Sequence, residues 1–154
     1  MSLVRRLARP LLSSIFISGG LDSLRNPGPK VAAADDVAAQ IAARIPGIPT
    51  DDTEQLIKIN AAVQVGAGAL LALGKLPRLS ALALAATLVP TTAAGHRFWE
   101  ETDPAARAGQ QIQFLKNASI LGGLLIAAVD LEGRPGLAYR AASARKTAAR
   151  KLPG

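Results

Sequence analysis

The stretch from Ile59 to Gly74, INAAVQVGAGALLALG, contains no charged residue, and its part from Val63 to Leu73 would be apolar on every side of a helix. Three other stretches are also free of charge: Pro10 to Leu21, Leu79 to Gly95 and Asn117 to Val129. A helix that is apolar all round lies in a deep core or in lipid, and 154 residues cannot bury three or four such helices from water. The sequence therefore predicts an all-α membrane protein with a bundle of four transmembrane helices.

The length of these stretches leaves an alternative open. They are between 12 and 17 residues long, whereas a spanning helix needs about 20 mostly apolar residues. Runs of this length also form buried helices in soluble bundles. However, flanking Arg9, Lys58 and Lys116 can extend each span by placing their charged ends at the interface. We therefore favour the membrane interpretation, with spans at about residues 7–24, 54–73, 78–95 and 114–131.

The distribution of charge predicts an orientation. If the N-terminus is cytoplasmic, 11 of the 18 Lys and Arg residues fall inside and 7 outside, although the two outer loops are the longest. The net charge is then +9 inside and −2 outside, which together give the +7 of the whole chain. Basic cytoplasmic flanks are the usual orientation signal. We expect a multi-pass protein of the bacterial cytoplasmic (inner) membrane with both termini in the cytoplasm.

The segments between the spans predict the remaining organisation. Apolar residues at helical spacing in Val31 to Ile45 indicate an amphipathic helix in the first extracytoplasmic loop. Asp52 is a candidate N-cap for the second span. Small residues such as Gly66, Gly68 and Gly122 would let helices approach closely. Residues 1–139 form one membrane domain, and the basic tail 140–154 fits anionic lipid head groups, with no need for nucleic acid.

Polar side chains inside or beside the spans are candidate sites, because they are costly in lipid unless they face the bundle interior. The candidates are Asp22, Asn60, Gln64, His96, Lys116 and Asn117. All of them except Gln64 lie within one or two turns of the predicted outer boundary. Each also has a purely structural explanation. Asn60 and Gln64 could hydrogen-bond neighbouring helices, and Lys116 could be an interfacial flank. The inner half is expected to hold little comparable apart from Asp130.

The composition excludes several kinds of chemistry. The chain has no Cys and one His, which rules out thiolate chemistry and a haem held by two histidines of one chain. No His, Asp and Glu set has metal-ligand spacing, so we expect no metal. A self-contained enzyme is therefore less plausible than an accessory subunit. What remains is binding of an apolar molecule with a polar head, such as a quinone, with donors among Arg25, Gln64, His96, Lys116 and Asn117.

Four segments resemble the DoxX family of small bacterial membrane proteins, in its actinobacterial branch. They are ARPLLSSIFISGGLDSLRNP (8–27), LLALGKLPRLSALALA (70–85), LVPTTAAGHRFW (88–99) and QFLKNASILGGLLIAAVD (113–130). The resemblance implies four transmembrane helices and a link to respiratory or oxidative-stress redox chemistry. The matching positions to test are Asp22, Arg25, Asn26, Asn60, His96, Trp99, Lys116 and Asn117.

These observations give three functional hypotheses. The first is an accessory membrane protein with a pocket for menaquinone, another quinone or a lipid near the outer leaflet. The second is a membrane scaffold or assembly factor that docks redox enzymes and has no ligand of its own. The third and weakest is a small-molecule transporter, which a homo-oligomer would make easier to build.

Overall fold

The computed structural model of the chain describes residues 3–44 and 52–130, and within these ranges it is entirely helical, with no strand. The five helices are α1 (Leu3–Arg25), α2 (Gly28–Arg44), α3 (Thr53–Ala72), α4 (Pro77–Gly95) and α5 (Pro104–Val129). The predicted all-α class is confirmed. Ile45 at the end of the predicted amphipathic helix, Leu131 at the end of the predicted fourth span, and the tail 140–154 lie outside the described residues.

Local sequence explains where the helices begin and turn. Asp52 caps α3, because its Oδ1 accepts a hydrogen bond from the Gln55 amide at 2.9 Å. Asp103 caps α5 in the same way through the Ala106 amide at 2.7 Å. The turn between α3 and α4 contains Gly74 at φ 68° and Leu76 at φ 49°. The shortness of this turn makes α3 and α4 adjacent and antiparallel.

The helices pack in the order α1–α3–α4–α5, and α1 also touches α5. The α1–α3 contact is the most extensive one. Helix α2 lies against α3 and α4 through half-buried Val31, Ala34, Val37 and Ile41 and buried Ala38. These are the positions that the helical spacing predicts for its inner face.

Two glycines make the α1–α3 contact close. A Cβ atom on Gly20 would lie 2.8 Å from Val65 Cγ2 and 2.9 Å from the Ala61 carbonyl oxygen. A Cβ on Gly68 would lie 2.9 Å from Ile17 Cγ1. The predicted role of Gly68 in close packing is thus confirmed. Gly66 and Gly122 meet no atom within 4 Å, so the same prediction is wrong for them.

Apolar side chains lie both inside and outside the bundle. The largest fully buried side chains are Leu71, Leu84, Leu124 and Ser13. Large apolar residues also point outward from every long helix: Leu7, Leu11, Ile15, Ile59, Val63, Leu70, Leu79, Leu82, Val89, Ile112, Leu115, Leu125 and Ile126. By length and composition, α3 and α5 could cross a bilayer. The four-span topology and its orientation stay a prediction.

Candidate ligand-binding site

One end of the bundle is joined by amide and hydroxyl groups of three helices. We call it the amide end, defined by Asn60, Gln64, Thr91, Thr92 and Asn117. The Asn60 and Gln64 amides of α3 donate to Thr91 Oγ1 of α4 at 3.1 and 3.4 Å. The Asn117 amide of α5 donates to Thr92 Oγ1 at 3.0 Å. Gln64 and Asn117 are each only 7% exposed, so their amides hold helices together within the bundle.

The threonines can serve as acceptors because their own protons are used elsewhere. Thr91 Oγ1 donates to the Thr87 carbonyl and Thr92 Oγ1 to the Leu88 carbonyl, both at 2.8 Å. Each hydroxyl thus has lone pairs left for an amide. This geometry agrees with the structural explanation given above for Asn60 and Gln64, hydrogen bonding between helices.

An open cavity of about 490 Å³ lies beside the amide end, between the end of α4 and the first half of α5. Its lining consists of His96, Ala106, Gly109, Gln110, Gln113 and Lys116. His96 Nδ1 lies 2.8 Å from Gln110 Oε1, and Lys116 Nζ donates to Gln113 Oε1. Two predicted residues, His96 and Lys116, are therefore brought together, while Asn60, Gln64 and Asn117 do not line this cavity.

Sequence reasoning missed Gln110 and Gln113, because it treated residues 96–113 as a loop. In the structure α5 begins at Pro104, ten residues before the predicted span. The signal was present in Asp103-Pro104, a capping residue followed by proline at the first helical position. Had that start been recognised, the spacing of Gln110, Gln113 and Lys116 by three would have placed them on one helix face.

Three aromatic rings join the α4–α5 connection to α5. The Phe98 ring lies 5.2 Å from that of Trp99 and 5.4 Å from that of Phe114, and Trp99 lies 6.1 Å from Phe114. All three pairs are edge-to-face, the arrangement that aromatic rings prefer. Trp99 remains 53% exposed and does not line the cavity. It is therefore placed as a surface anchor next to the candidate site.

The predicted residues at the end of α1 form a separate group. Asp22 accepts hydrogen bonds from Lys30 Nζ at 2.6 Å and from the Asn26 amide at 3.5 Å. Lys30 also donates to Ser23 Oγ at 2.7 Å. These contacts fix the corner between α1 and α2. Arg25 is exposed at the end of α1, and none of Asp22, Arg25 and Asn26 lines the cavity.

Arg97 connects α2 to the α4–α5 segment. Its Nε donates to the Ala93 carbonyl at 2.9 Å, and its Nη1 lies 3.2 Å from Asp36 Oδ2 and 3.5 Å from Glu100 Oε1. The hydrogen bond to Asp36 is the largest cause that raises the pKa of Arg97 above its already high usual value. Arg97 therefore stays positively charged and contacts α2 through Asp36.

The opposite end of the bundle is charged, and we call it the arginine end, defined by Arg5, Arg9, Arg78 and Asp130. Arg5 Nε and Nη2 donate to the two Asp130 carboxylate oxygens at 2.7 and 3.0 Å. Arg78 Nε donates to the Ala128 carbonyl at 2.8 Å, and Arg9 is 8% exposed. The expectation of little besides Asp130 here is wrong, because these arginines were treated only as orientation signals.

Metal ligation has no support in the described part of the chain. Among residues 3–44 and 52–130, no three His, Asp or Glu side chains come close enough together to hold a metal ion. The polar groups at the cavity are an imidazole, two amides and an ammonium group. Groups of these kinds can form hydrogen bonds and one charge-assisted contact.

A sequence profile of the DoxX family matches residues 5–97, which extend from α1 through α4 to Arg97. The chain belongs to the DoxX family. Together with the apolar outer faces of the helices, this makes it a membrane protein of the DoxX type. In this DoxX protein the matched region contains Asn60, Gln64 and His96, whereas Lys116 and Asn117 of α5 lie beyond it. No curated protein and no solved structure matches the chain.

Proposed function

We propose that this DoxX protein spans the bacterial cytoplasmic membrane four times, through α1, α3, α4 and α5, with both termini in the cytoplasm. The arginine end then lies inside, α2 lies on the outer surface, and the amide end faces the outer leaflet. The excess of basic residues on the inner side supports this orientation. The actinobacterial origin that the resemblance implies is part of the same proposal.

In this membrane the protein acts as an accessory subunit in respiratory or oxidative-stress redox chemistry. It binds an apolar molecule with a polar head group, a quinone such as menaquinone or a lipid, near the outer leaflet. The cavity between His96 and Lys116 is the observation that supports this proposal. On the same helix Ile112 and Leu115 are 66% and 55% exposed. A ligand could therefore place its head in the cavity and its tail along these side chains.

The topology can be tested by cysteine labelling, because the chain contains no native cysteine. Ala32→Cys, on the exposed face of α2, should react with a membrane-impermeant maleimide in intact cells. Ala142→Cys, in the basic tail, should react only after the cells are opened. Labelling of both, or the reverse pattern, would contradict the proposed orientation.

The ligand site can be tested by titrating the purified protein in lipid nanodiscs with menaquinone. His96→Ala should weaken binding, since it removes the imidazole and its bond to Gln110. Ser119→Ala is the matched control, because this exposed hydroxyl of α5 donates to the Leu115 carbonyl of its own helix and does not line the cavity. Equal affinity for His96→Ala and the control would exclude the cavity as the quinone site.

A scaffold that docks redox enzymes is the second candidate, and the placement of α2 favours it. This helix leaves Asp35, Asp36 and Gln40 exposed on its outer surface, where a soluble partner could bind. The basic tail 140–154 would offer a second docking segment on the other side. If a redox enzyme is recovered together with the full chain, and is no longer recovered after deletion of residues 140–154, this candidate is supported.

Transport is disfavoured, because fully buried Leu71, Leu84 and Leu124 fill the core of the described bundle.

A further inference from the structure

Lys116 differs from three other cations at the same end of the molecule, each of which is paired with a carboxylate. Lys30 is paired with Asp22, Lys58 with Glu54, and Arg97 with Asp36. Within residues 3–44 and 52–130, the hydrogen-bond partner of Lys116 is instead the neutral amide of Gln113. Its positive charge is therefore not neutralised by a carboxylate of the described chain, although acidic residues are numerous at this end.

The hydrogen bonds inside the cavity determine which groups are left for a ligand. An ammonium group only donates, so Gln113 must turn its amide oxygen to Lys116 and present its NH₂ elsewhere. The amide oxygen of Gln110 likewise accepts from His96 Nδ1, so its NH₂ group can donate to another acceptor. Lys116 retains further N–H donors of its own. The cavity therefore offers one positive charge and two amide donors.

The helix geometry places these donors side by side. Gln110, Gln113 and Lys116 follow each other at intervals of three residues, which puts them on one face of α5. Ala106 and Gly109 on the same wall carry little or no side chain and leave room for a ligand. The cavity of about 490 Å³ is open on one side and has room for a phosphate group.

From this arrangement we propose that the cavity binds a phosphate-type anion, with its oxygens on Lys116 Nζ and on the amide nitrogens of Gln110 and Gln113. The inference rests on the proposed function and specifies the ligand of the same site. The charge of the exposed Lys116 side chain favours an anion over a neutral head group, because a charge-assisted hydrogen bond is stronger than one between neutral groups. A phospholipid head group and free phosphate share this chemistry, and the experiment below separates them.

The test uses the full chain purified in detergent and titrated with lipids under native mass spectrometry. Phosphatidylglycerol is compared with a diacylglycerol that has the same acyl chains and no phosphate. Gln113→Glu keeps the acceptor for Lys116 but neutralises its charge, and Lys116→Met removes the charge. Both should weaken phosphatidylglycerol binding by roughly tenfold or more, as expected for loss of a charge-assisted hydrogen bond.

Arg107→Gln is the matched control. It lowers the net charge by the same amount on the same helix but lies outside the cavity lining, so it should change the affinity by less than about twofold, as expected for a screened surface charge. Competition with millimolar inorganic phosphate identifies the source of the anion. Displacement shows that free phosphate enters the cavity, and retention shows that the lipid itself is required.

Two other results would overturn the inference in distinguishable ways. If diacylglycerol binds as tightly as phosphatidylglycerol, or if all three variants behave alike, the cavity does not recognise phosphate, yet the proposed lipid or quinone pocket survives. If phosphatidylglycerol, diacylglycerol and menaquinone all fail to bind, the proposed function fails together with the inference.

Discussion

At the arginine end, Arg5 forms two charge-assisted hydrogen bonds with Asp130, and Arg78 binds the Ala128 carbonyl. At the amide end, neutral amides bind threonine hydroxyls at 3.0 to 3.4 Å. Charge-assisted hydrogen bonds contribute about 1.5–3 kcal/mol each, and hydrogen bonds between transmembrane helices average ~0.6 kcal/mol. The arginine end is therefore the more firmly fixed of the two.

The difference in hydrogen-bond strength between the two ends agrees with a proposed binding site at the amide end and none at the arginine end. Arg78 satisfies a carbonyl in the last turn of α5, where backbone acceptors lack helical partners and cations are favoured. This arrangement leaves few groups to adapt to a ligand. At the amide end the bonds are weaker, and the neighbouring cavity keeps donors that are not used within the described chain. The ligand proposed for the cavity would therefore lie beside the amide end and leave its hydrogen bonds between helices in place.

The largest effect should follow from disturbing the α1–α3 contact, which is the most extensive one in the described bundle. Gly20→Ala places a Cβ atom against Val65 and the Ala61 carbonyl, and such overpacking typically costs about 1–3 kcal/mol. Gly19→Ala is the control, since a Cβ there meets nothing within 4 Å. Thermal unfolding in detergent measures both. Equal midpoints for the two variants would contradict the close approach of α1 to α3.

Breaking the arginine end should have the next largest effect. Arg5→Gln removes the bidentate pair with Asp130, whose side chains are 32% and 26% exposed. After allowance for this partial exposure, we expect a loss of about 1–2 kcal/mol in the free energy of unfolding. Arg6→Gln changes the charge equally at an exposed neighbouring position. A double-mutant cycle with Asp130→Asn should show coupling for Arg5 and none for Arg6.

A smaller effect is expected at the amide end. Asn117→Ala removes the donor to Thr92 Oγ1, which should cost about 0.6–1.7 kcal/mol. Ser119→Ala, on the exposed side of the same helix, serves as the control and should be nearly neutral. If Asn117→Ala destabilised the bundle more than Arg5→Gln does, the contrast between the two ends would be wrong.

The smallest effect concerns the attachment of α2. Asp36→Asn weakens the contact with Arg97 and should accelerate amide hydrogen exchange in α2 by less than about fivefold, as expected for an exposed ion pair. Asp35→Asn, one residue earlier and without such a contact among the described residues, should leave the exchange unchanged. Equal acceleration by both variants would show that general charge, rather than the pair, holds α2.

The pH dependence of the same contact follows from the sign of the pKa shift. Asp36 raises the pKa of Arg97 in the folded state. The stabilisation that the Asp36–Arg97 contact gives the folded state is therefore complete at any pH below the usual pKa of arginine. It is lost only as the pH rises through the higher folded value. Between about pH 7 and 9 the exchange of α2 should therefore show no step due to Arg97, once the intrinsic effect of pH on exchange is removed.

Much of the fold could be predicted because it depends on local chemistry. The charge-free stretches, the helical spacing of apolar residues in Val31 to Ile45 and the cap at Asp52 locate α1 to α4 within a few residues. The inner face of α2 followed from helical spacing alone. The start of α5 was missed because an amphipathic helical turn outside the predicted span resembles a loop when only hydropathy is considered.

The candidate site could be predicted only in part, since its residues come from different helices. Polar side chains at one end of the bundle were expected, but they divide into the α1–α2 corner, the amide end and the cavity. His96 meets Gln110 only because α5 begins early enough to bring that residue opposite the end of α4. Sequence alone also could not pair Arg5 with Asp130, which are 125 positions apart.

The sequence by itself determined the helical class, the apolar character of the helices, the excess of positive charge and the family. These properties follow from composition and from periodicity over short distances. Only the tertiary structure decided which polar groups bind each other and which keep donors for a ligand. The physical reason is that a hydrogen bond depends on distances of about 3 Å, and packing at positions such as Gly20 sets those distances between helices.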